Sequence, residues 1–459
     1  MEPSSAATPL VGLPLTEGGL PAKDLIDLYY LRFHSAHPIL VPQRLLPGTV
    51  GQYPAYLETV MQYIGSIFLL RTSSQPYRTA AESVMLVREE QRDGHTVQAM
   101  LLFAIVLHAS NEQEYATHVI RVAVDIALRL GMNRKGFACA NSKGDAVLEE
   151  SWRRTWFELY VVNALMAAAH QAETFELYDV DAEVGLPCEE AVYTAGQGIP
   201  KPHTVAQFHN RALSSDDIKF SSFSYRIDAV RILGSLMYNM PRMPPDESSM
   251  VEELDATLVG WSLHLPASKR EAIDREGNVD EMLFQANMIV NTSLIMLHRP
   301  RSDLVFANVA DKTECTPPRS FANPISSYHI HSAKAIRAAS GLSSLVTLPT
   351  SLLNHTPFFS CAIALGAIVH LSAYVTGCNE NEARCSMQRI RLAVGALKTS
   401  KEVWPIAGTL FKQIKELARD AFVTSHAGGL RPVHPPSQSG INLSEADDAW
   451  LNEFVGGFA

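Results

Sequence analysis

An all-α fold is the class this sequence predicts, and three observations carry the prediction. Apolar residues recur at helical spacing along most of the 459 residues. No Asn-Gly or Asp-Gly dipeptide joins two alternating runs as a hairpin would require; Asp93-Gly94 lies between two helical patterns. The interruptions Gly185–Thr204, Pro241–Asp246, Ala307–Asn323 and His426–Gly440 are rich in Pro and Gly, and no repeat of fixed period is visible.

Each helix has its own warrant. Asp24–His34 puts Leu25, Leu28, Tyr29 and Leu31 on one stripe, and Ala55–Leu70, Pro76–Glu90 and Thr96–Ser110 show the same spacing. Glu112–Leu130 places Val119, Val122, Ala123, Ile126 and Leu130 on one face, with Gly131 where a helix C-cap belongs. Glu149–Ala169 is long and aromatic. Further helices are expected at Asp217–Tyr238, Met250–Leu263, Val279–His298, Pro324–Val346, Leu352–Thr376, Asn381–Trp404 and Ala407–Thr424. The expected architecture is a flexible leader (1–23), one helical domain (24–424), a Pro/Gly-rich linker (425–441) and an acidic-aromatic tail (442–459).

Composition supports a large core: 47% of residues are hydrophobic, too many for a disordered chain. The net charge of −10 argues against a dense basic face for nucleic acid. Six scattered cysteines do not form a disulfide framework and fit a reducing compartment. The apolar runs Val97–Leu107 and Cys361–Val375 fall short of the roughly 18–20 residues a membrane span needs, so no membrane is expected as a partner. The N-terminus has no basic region like that of a signal peptide.

Catalytic and metal motifs are weak. There is no Gly-x-Ser-x-Gly elbow, phosphate loop or His-Glu-x-x-His, and Gly196-Gln-Gly198 lies in a Pro-rich loop. Asp216-Asp217 supplies only the first part of a magnesium-binding Asp-Asp-x-x-Asp, because Phe220 stands where the third carboxylate belongs; a helix N-cap is the simpler role. The pairs His34/His37 and His329/His331 lack the four ligands of a structural zinc site, and the residues between Cys378 and Cys385 are mostly acidic or polar. No catalytic, cofactor or metal residue is assigned.

The informative stretch is 149–163, Glu-Glu-Ser-Trp-Arg-Arg-Thr-Trp-Phe-Glu-Leu-Tyr-Val-Val-Asn. On a helix, Trp152, Trp156 and Tyr160 form one stripe. Glu149 and Glu150 precede Arg153 and Arg154 by four residues, the orientation that favours helix ion pairs of about 0.2–0.5 kcal/mol each. This wording resembles the RRxxWW motif of the fungal-specific transcription factor domain, the middle homology region of fungal zinc-cluster regulators. Four further segments resemble that family in its order: LIDLYYLRFHSAHPIL (25–40), YATHVIRVAVDIALRLGMNR (115–134), VEELDATLVGWSLHLP (251–266) and NTSLIMLHRPRSD (291–303). The residues matched to its motifs are Arg153, Arg154, Trp156, Trp261, His298, Arg299 and Pro300. Departures are Thr155 for the first tryptophan of the pair, Asn163 for the usual Asp, and no Cys-x2-Cys-x6-Cys ahead of the domain.

The tail, GINLSEADDAWLNEFVGGFA (440–459), interleaves four acids with Trp450, Leu451, Phe454, Val455 and Phe458. Such a segment can fold in a coactivator groove or dock on its own domain; Trp450, Leu451, Phe454 and Phe458 are the expected activation anchors. The resemblance implies a nuclear transcription regulator, not an enzyme, controlling metabolic or secondary-metabolite genes. It also implies contact with DNA through a partner regulator, with coactivators or corepressors, a small-molecule effector and homo- or heterodimerisation as further partners. Zinc is implied only for a cluster outside these residues. The competing class is an all-α biosynthetic enzyme or small-molecule-binding protein, which would need convergent titratable groups in a pocket.

Overall fold

Sixteen α-helices, most of them at the periodic stretches, form among the residues described by the computed structural model, which are 20–86, 92–211, 218–243, 248–304, 328–376 and 380–427. The first half contains α1 (Ala22–Arg32), α2 (Ala55–Ile67), α3 (Gln75–Leu86), α4 (Gly94–Ala109), α5 (Gln113–Arg129), α6 (Lys135–Asn141), α7 (Ala146–Ala169), α8 (Glu190–Ala195) and α9 (Val205–His209). The second contains α10 (Ser222–Asn239), α11 (Ser248–Leu263), α12 (Glu281–His298), α13 (Tyr328–Val346), α14 (Phe358–Thr376), α15 (Glu380–Ser400) and α16 (Pro405–Ala427). No strand occurs among the described residues; the β pairing there is an isolated bridge, Ile273 to Val279. All-α is therefore the fold class.

Local chemistry sets the helix ends. Asp93 caps α4 through a capping box with Thr96, and Asp145 caps α7 by accepting from Val147 and Leu148 N–H. Gly131 ends α5 at φ +71°, a left-handed conformation that suits glycine, while Met132 N–H bonds back to Ala127 O. Three expectations shift. The helix expected from Asp217 begins at Ser222, capped by the Ser221 hydroxyl; Ser215–Asp217 lie outside the described residues. The helix expected over Leu352–Thr376 splits into a 3₁₀ turn (Leu352–Asn354) and α14, because Pro357 pushes the residue before it out of helical conformation. The short helices α6, α8 and α9 were not expected.

One continuous core joins the helices. Helices α1 and α2 cross closely, since a Cβ at Gly65 would lie 1.9 Å from the Leu25 carbonyl oxygen. In the C-terminal half, α14 packs against α12, α13, α15 and α16. With 19 residues, α14 is long and apolar enough to cross a bilayer, contrary to the sequence expectation, but it is buried over most of its length as a core helix. Helix α16 runs through residues 425–427, the first three of the expected linker; the rest of the linker and the tail, including Trp450, Leu451, Phe454 and Phe458, lie outside the described residues.

Candidate functional site

Helix α7 organises the motif residues. Its Asp145 cap fixes where the helix starts, and that sets which way Glu149, Glu150, Arg153 and Arg154 project. Arg153 pairs with Glu149 at 2.6 Å and Glu150 at 2.9 Å. Arg154 pairs with Glu150 at 2.9 Å and donates to Cys188 O at 2.9 Å; it also reaches Glu190 on α8. Its guanidinium lies 3.9 Å above the Tyr193 ring. Cys188 N–H donates to Glu150 Oε1 at 2.8 Å, so one carboxylate is shared by two arginines and a backbone amide. The spacing predicts surface-strength pairs, but Arg154 and Glu150 are buried and act across the chain. They clamp the 185–195 segment onto α7. Tyr193 then donates to Leu40 O at 3.0 Å and ties α8 to the chain leaving α1. Burial, with Glu150 close by, pushes the Cys188 thiol up to about 12.

The departures from the family wording have partners. Thr155 Oγ1 accepts from Gln98 of α4 at 2.8 Å, and the same Gln98 amide reaches Ser151 and Ile39 O. Asn163 Oδ1 accepts Leu177 N–H at 3.2 Å, while its amide donates to Glu176 at 2.6 Å. Trp156 is 1% exposed and packs in the core; Trp152 donates to Asn141 O.

Sequence reasoning missed an ionic group one turn beyond Arg154. Glu158, Arg226 and His37 are each fully buried. Glu158 Oε1 accepts from Arg226 at 2.6 Å and from His37 Nδ1 at 2.7 Å. Burial alone would raise this carboxyl; Arg226 and His37 outweigh it and hold it at about 2. The group joins α7, α10 and the turn after α1. The sequence signal was an acid among apolar neighbours, Leu159, Val161 and Val162, on a helix with two buried faces. His34 and His37, read as a close pair, diverge: His34 Nε2 meets Leu40 O at 2.9 Å.

The remaining motif residues lie in the other half. Trp261 is buried beneath a polar cleft of about 330 Å³ that also involves Arg211, Asp228 and Arg231. His298, at the end of α12, meets Asp255 of α11 through Nε2 at 2.8 Å and His331 of α13 through Nδ1 at 2.9 Å. A proton on Nε2 faces the carboxylate, which leaves Nδ1 to accept from His331. Burial pushes His298 down to about 4. Arg299 and Pro300 enter a 3₁₀ turn, Arg299–Arg301, that stops α12. His298 thus pins three helices, while Arg153 and Arg154 pin the loop on α7; the structure places the two sets at separate points. Among the described residues no group of three or more His, Cys, Asp or Glu gathers as a metal site.

Between the C-terminal turns of α7 and α10 and the facing sides of α12 and α14 lies a cavity of about 390 Å³. Leu165, Met237, Met288, Met296, Phe358 and Leu365 form much of its wall. Its volume lies within the roughly 300–1,000 Å³ common for small-molecule sites.

Comparison with known proteins places these features. The C6 finger domain transcription factor iacK of Pestalotiopsis fici is 35% identical over 408 residues, covering 88% of this chain and 60% of its own length. The acetamidase regulatory protein of Aspergillus oryzae is 22% identical over 429 residues, covering 89% of this chain and 50% of its own length. The chain therefore spans between half and three-fifths of these relatives. No solved structure matches it. The fungal specific transcription factor domain matches residues 26–263, from α1 through α11. With just over half of its residues matched in this way, the chain belongs to the fungal specific transcription factor domain family.

Proposed function

We propose that this chain is the regulatory part of a nuclear transcription regulator of metabolic or secondary-metabolite biosynthetic genes, and that it reaches DNA through a DNA-binding partner. The family match over 26–263 carries this reading. The names of the two relatives, a transcription factor and an acetamidase regulatory protein, agree with it. The net charge of −10 disfavours direct attraction to phosphate. In this reading residues 24–424 are the regulatory domain and 425–441 a linker. Residues 442–459 present Trp450, Leu451, Phe454 and Phe458 to a coactivator. Arg153, Arg154, Trp156, Trp261, His298, Arg299 and Pro300 keep the regulatory domain in its working shape. A small-molecule effector, corepressors and a second regulator chain are the other partners.

Two measurements test this. The 459-residue chain, titrated with promoter and random duplexes at about physiological salt, should show no sequence preference; selective sub-micromolar binding by the chain alone refutes the partner route. Residues 440–459 fused to a heterologous DNA-binding domain should drive a reporter, and Trp450→Ala with Phe454→Ala should silence it. A silent wild-type fusion refutes the activation segment.

A further inference from the structure

The 390 Å³ cavity has a chemistry that selects its occupant. Its described lining contains no Lys, Arg or His. The acid among its lining residues, Glu173, is at the exposed mouth, where it pairs with Arg242 at 3.4 Å. An anionic ligand would thus be desolvated without a counter-charge, which is strongly unfavourable. Four methionines, Met237, Met240, Met288 and Met296, give a polarisable, adaptable wall suited to aromatic or irregular apolar surfaces.

One residue of this wall carries a hydroxyl without a partner among the described residues. Helical Ser and Thr hydroxyls in this fold commonly bond back to the carbonyl four residues earlier, as Thr117, Thr155, Thr257, Ser372 and Ser293 do. Thr292, next to Ser293 on α12, lines the cavity instead, and its buried Oγ1 finds no hydrogen-bond partner among the described residues. A buried hydroxyl without a partner is costly, so a turn about its χ1 that brings it to a ligand group gains that bond.

We propose that the cavity binds a neutral, largely apolar small molecule, aromatic or polycyclic, with one hydrogen-bonding group directed at Thr292. The regulatory meaning rests on the reading above: the ligand is the effector. Its position fits that role. Leu165, Leu233 and Met237 belong to the family-matched part, whereas Met288, Thr292 and Phe358 lie beyond residue 263. A bound molecule braces α7 and α10 against α12 and α14.

The full chain is titrated with N-phenyl-1-naphthylamine, a neutral fluorophore with one N–H, and with 1-anilinonaphthalene-8-sulfonate, the same skeleton carrying a negative charge. The neutral probe should bind saturably at one site per chain, and the sulfonate about tenfold more weakly or worse. Ala169→Trp, at the half-buried end of α7, should fill the cavity and abolish the neutral probe's signal. Thr292→Val should weaken that probe about fivefold without lowering the unfolding midpoint. Equal affinity for the two probes, or full neutral-probe binding by Ala169→Trp, overturns the site. If Ala169→Trp loses its cooperative unfolding transition, Thr292→Val decides, and unchanged affinity overturns the proposal. A chain that binds no probe yet still alters a reporter when tethered to DNA removes this effector site and leaves the regulator reading standing.

Discussion

Arg153 and Arg154 are neighbours with the same charge on the same helix, yet the structure makes their removal unequal. Arg154→Met deletes the bond to Glu150 at 2.9 Å, the bond to Cys188 O at 2.9 Å and the stacking 3.9 Å above Tyr193. Bonds to charged groups contribute about 1.5–3 kcal/mol each, and cation–π stacking about 1 kcal/mol. The Glu190 pair adds little, because that carboxylate is 46% exposed. Two effects reduce the loss: Glu150 keeps Arg153 and the Cys188 amide, and the methionine stem restores apolar contact. The expected cost is about 3 kcal/mol, the low end for breaking a buried pair. Arg153→Met leaves Glu150 paired to Arg154, and its second partner, Glu149, is partly exposed, so about 1 kcal/mol is expected. Urea unfolding followed by tryptophan fluorescence gives both values. Subtilisin digestion under native conditions should also cut 185–204 sooner in Arg154→Met, since the clamp holds that segment. Equal costs for the two variants, or an unchanged cleavage rate in Arg154→Met, would refute the clamp.

Gly65→Ala should destabilise by more than about 3 kcal/mol despite alanine's better helix propensity, because the new Cβ meets the Leu25 backbone, which has no rotamer to move; a neutral or raised unfolding midpoint refutes the close crossing. Glu158→Leu or Arg226→Met alone should cost about 3–5 kcal/mol, and the double variant should recover much of that; a double as unstable as the sum of the singles refutes the pairing argument. Burial depresses His108 to about 3 and His298 and His370 to about 4. The unfolded chain takes up these protons near pH 6.5 and the folded chain only near 3–4, so stability is full above about 6.5 and falls as pH drops toward 4. Urea midpoints that stay level from pH 7.5 to 4.5 would contradict this.

The long helices were legible because each buries a face several turns long, enough for a 3.6-residue period to show. Gly131 and the Glu149–Arg153 and Glu150–Arg154 spacings were legible for a related reason: their partners lie within one turn. The helices α6, α8 and α9 have seven, six and five residues and cannot display a period. The break before α14 was present in His355-Thr356-Pro357 but was masked by apolar residues on both sides. Glu158 meets Arg226 across 68 residues and His37 across 121, so no local spacing announces the group. His298 looked like part of a motif and proved to be a junction, because Asp255 and His331 come from other helices. The cavity needs four helices from both halves of the chain, and it exists only once they pack.

The apolar character of α14 has a consequence for how the chain is made. Its cover comes partly from α15 and α16, which leave the ribosome after it. Until residues 380–427 have emerged, a 19-residue stretch with the composition of a membrane span waits without its lid, the kind of surface that chaperones capture and that aggregates when they do not. Shortening the chain before Pro405 would fix that interval permanently. Fragments cut to isolate the family-matched half should therefore end ahead of Phe358 or run past α16, because any end point between them strips this apolar helix of part of its cover.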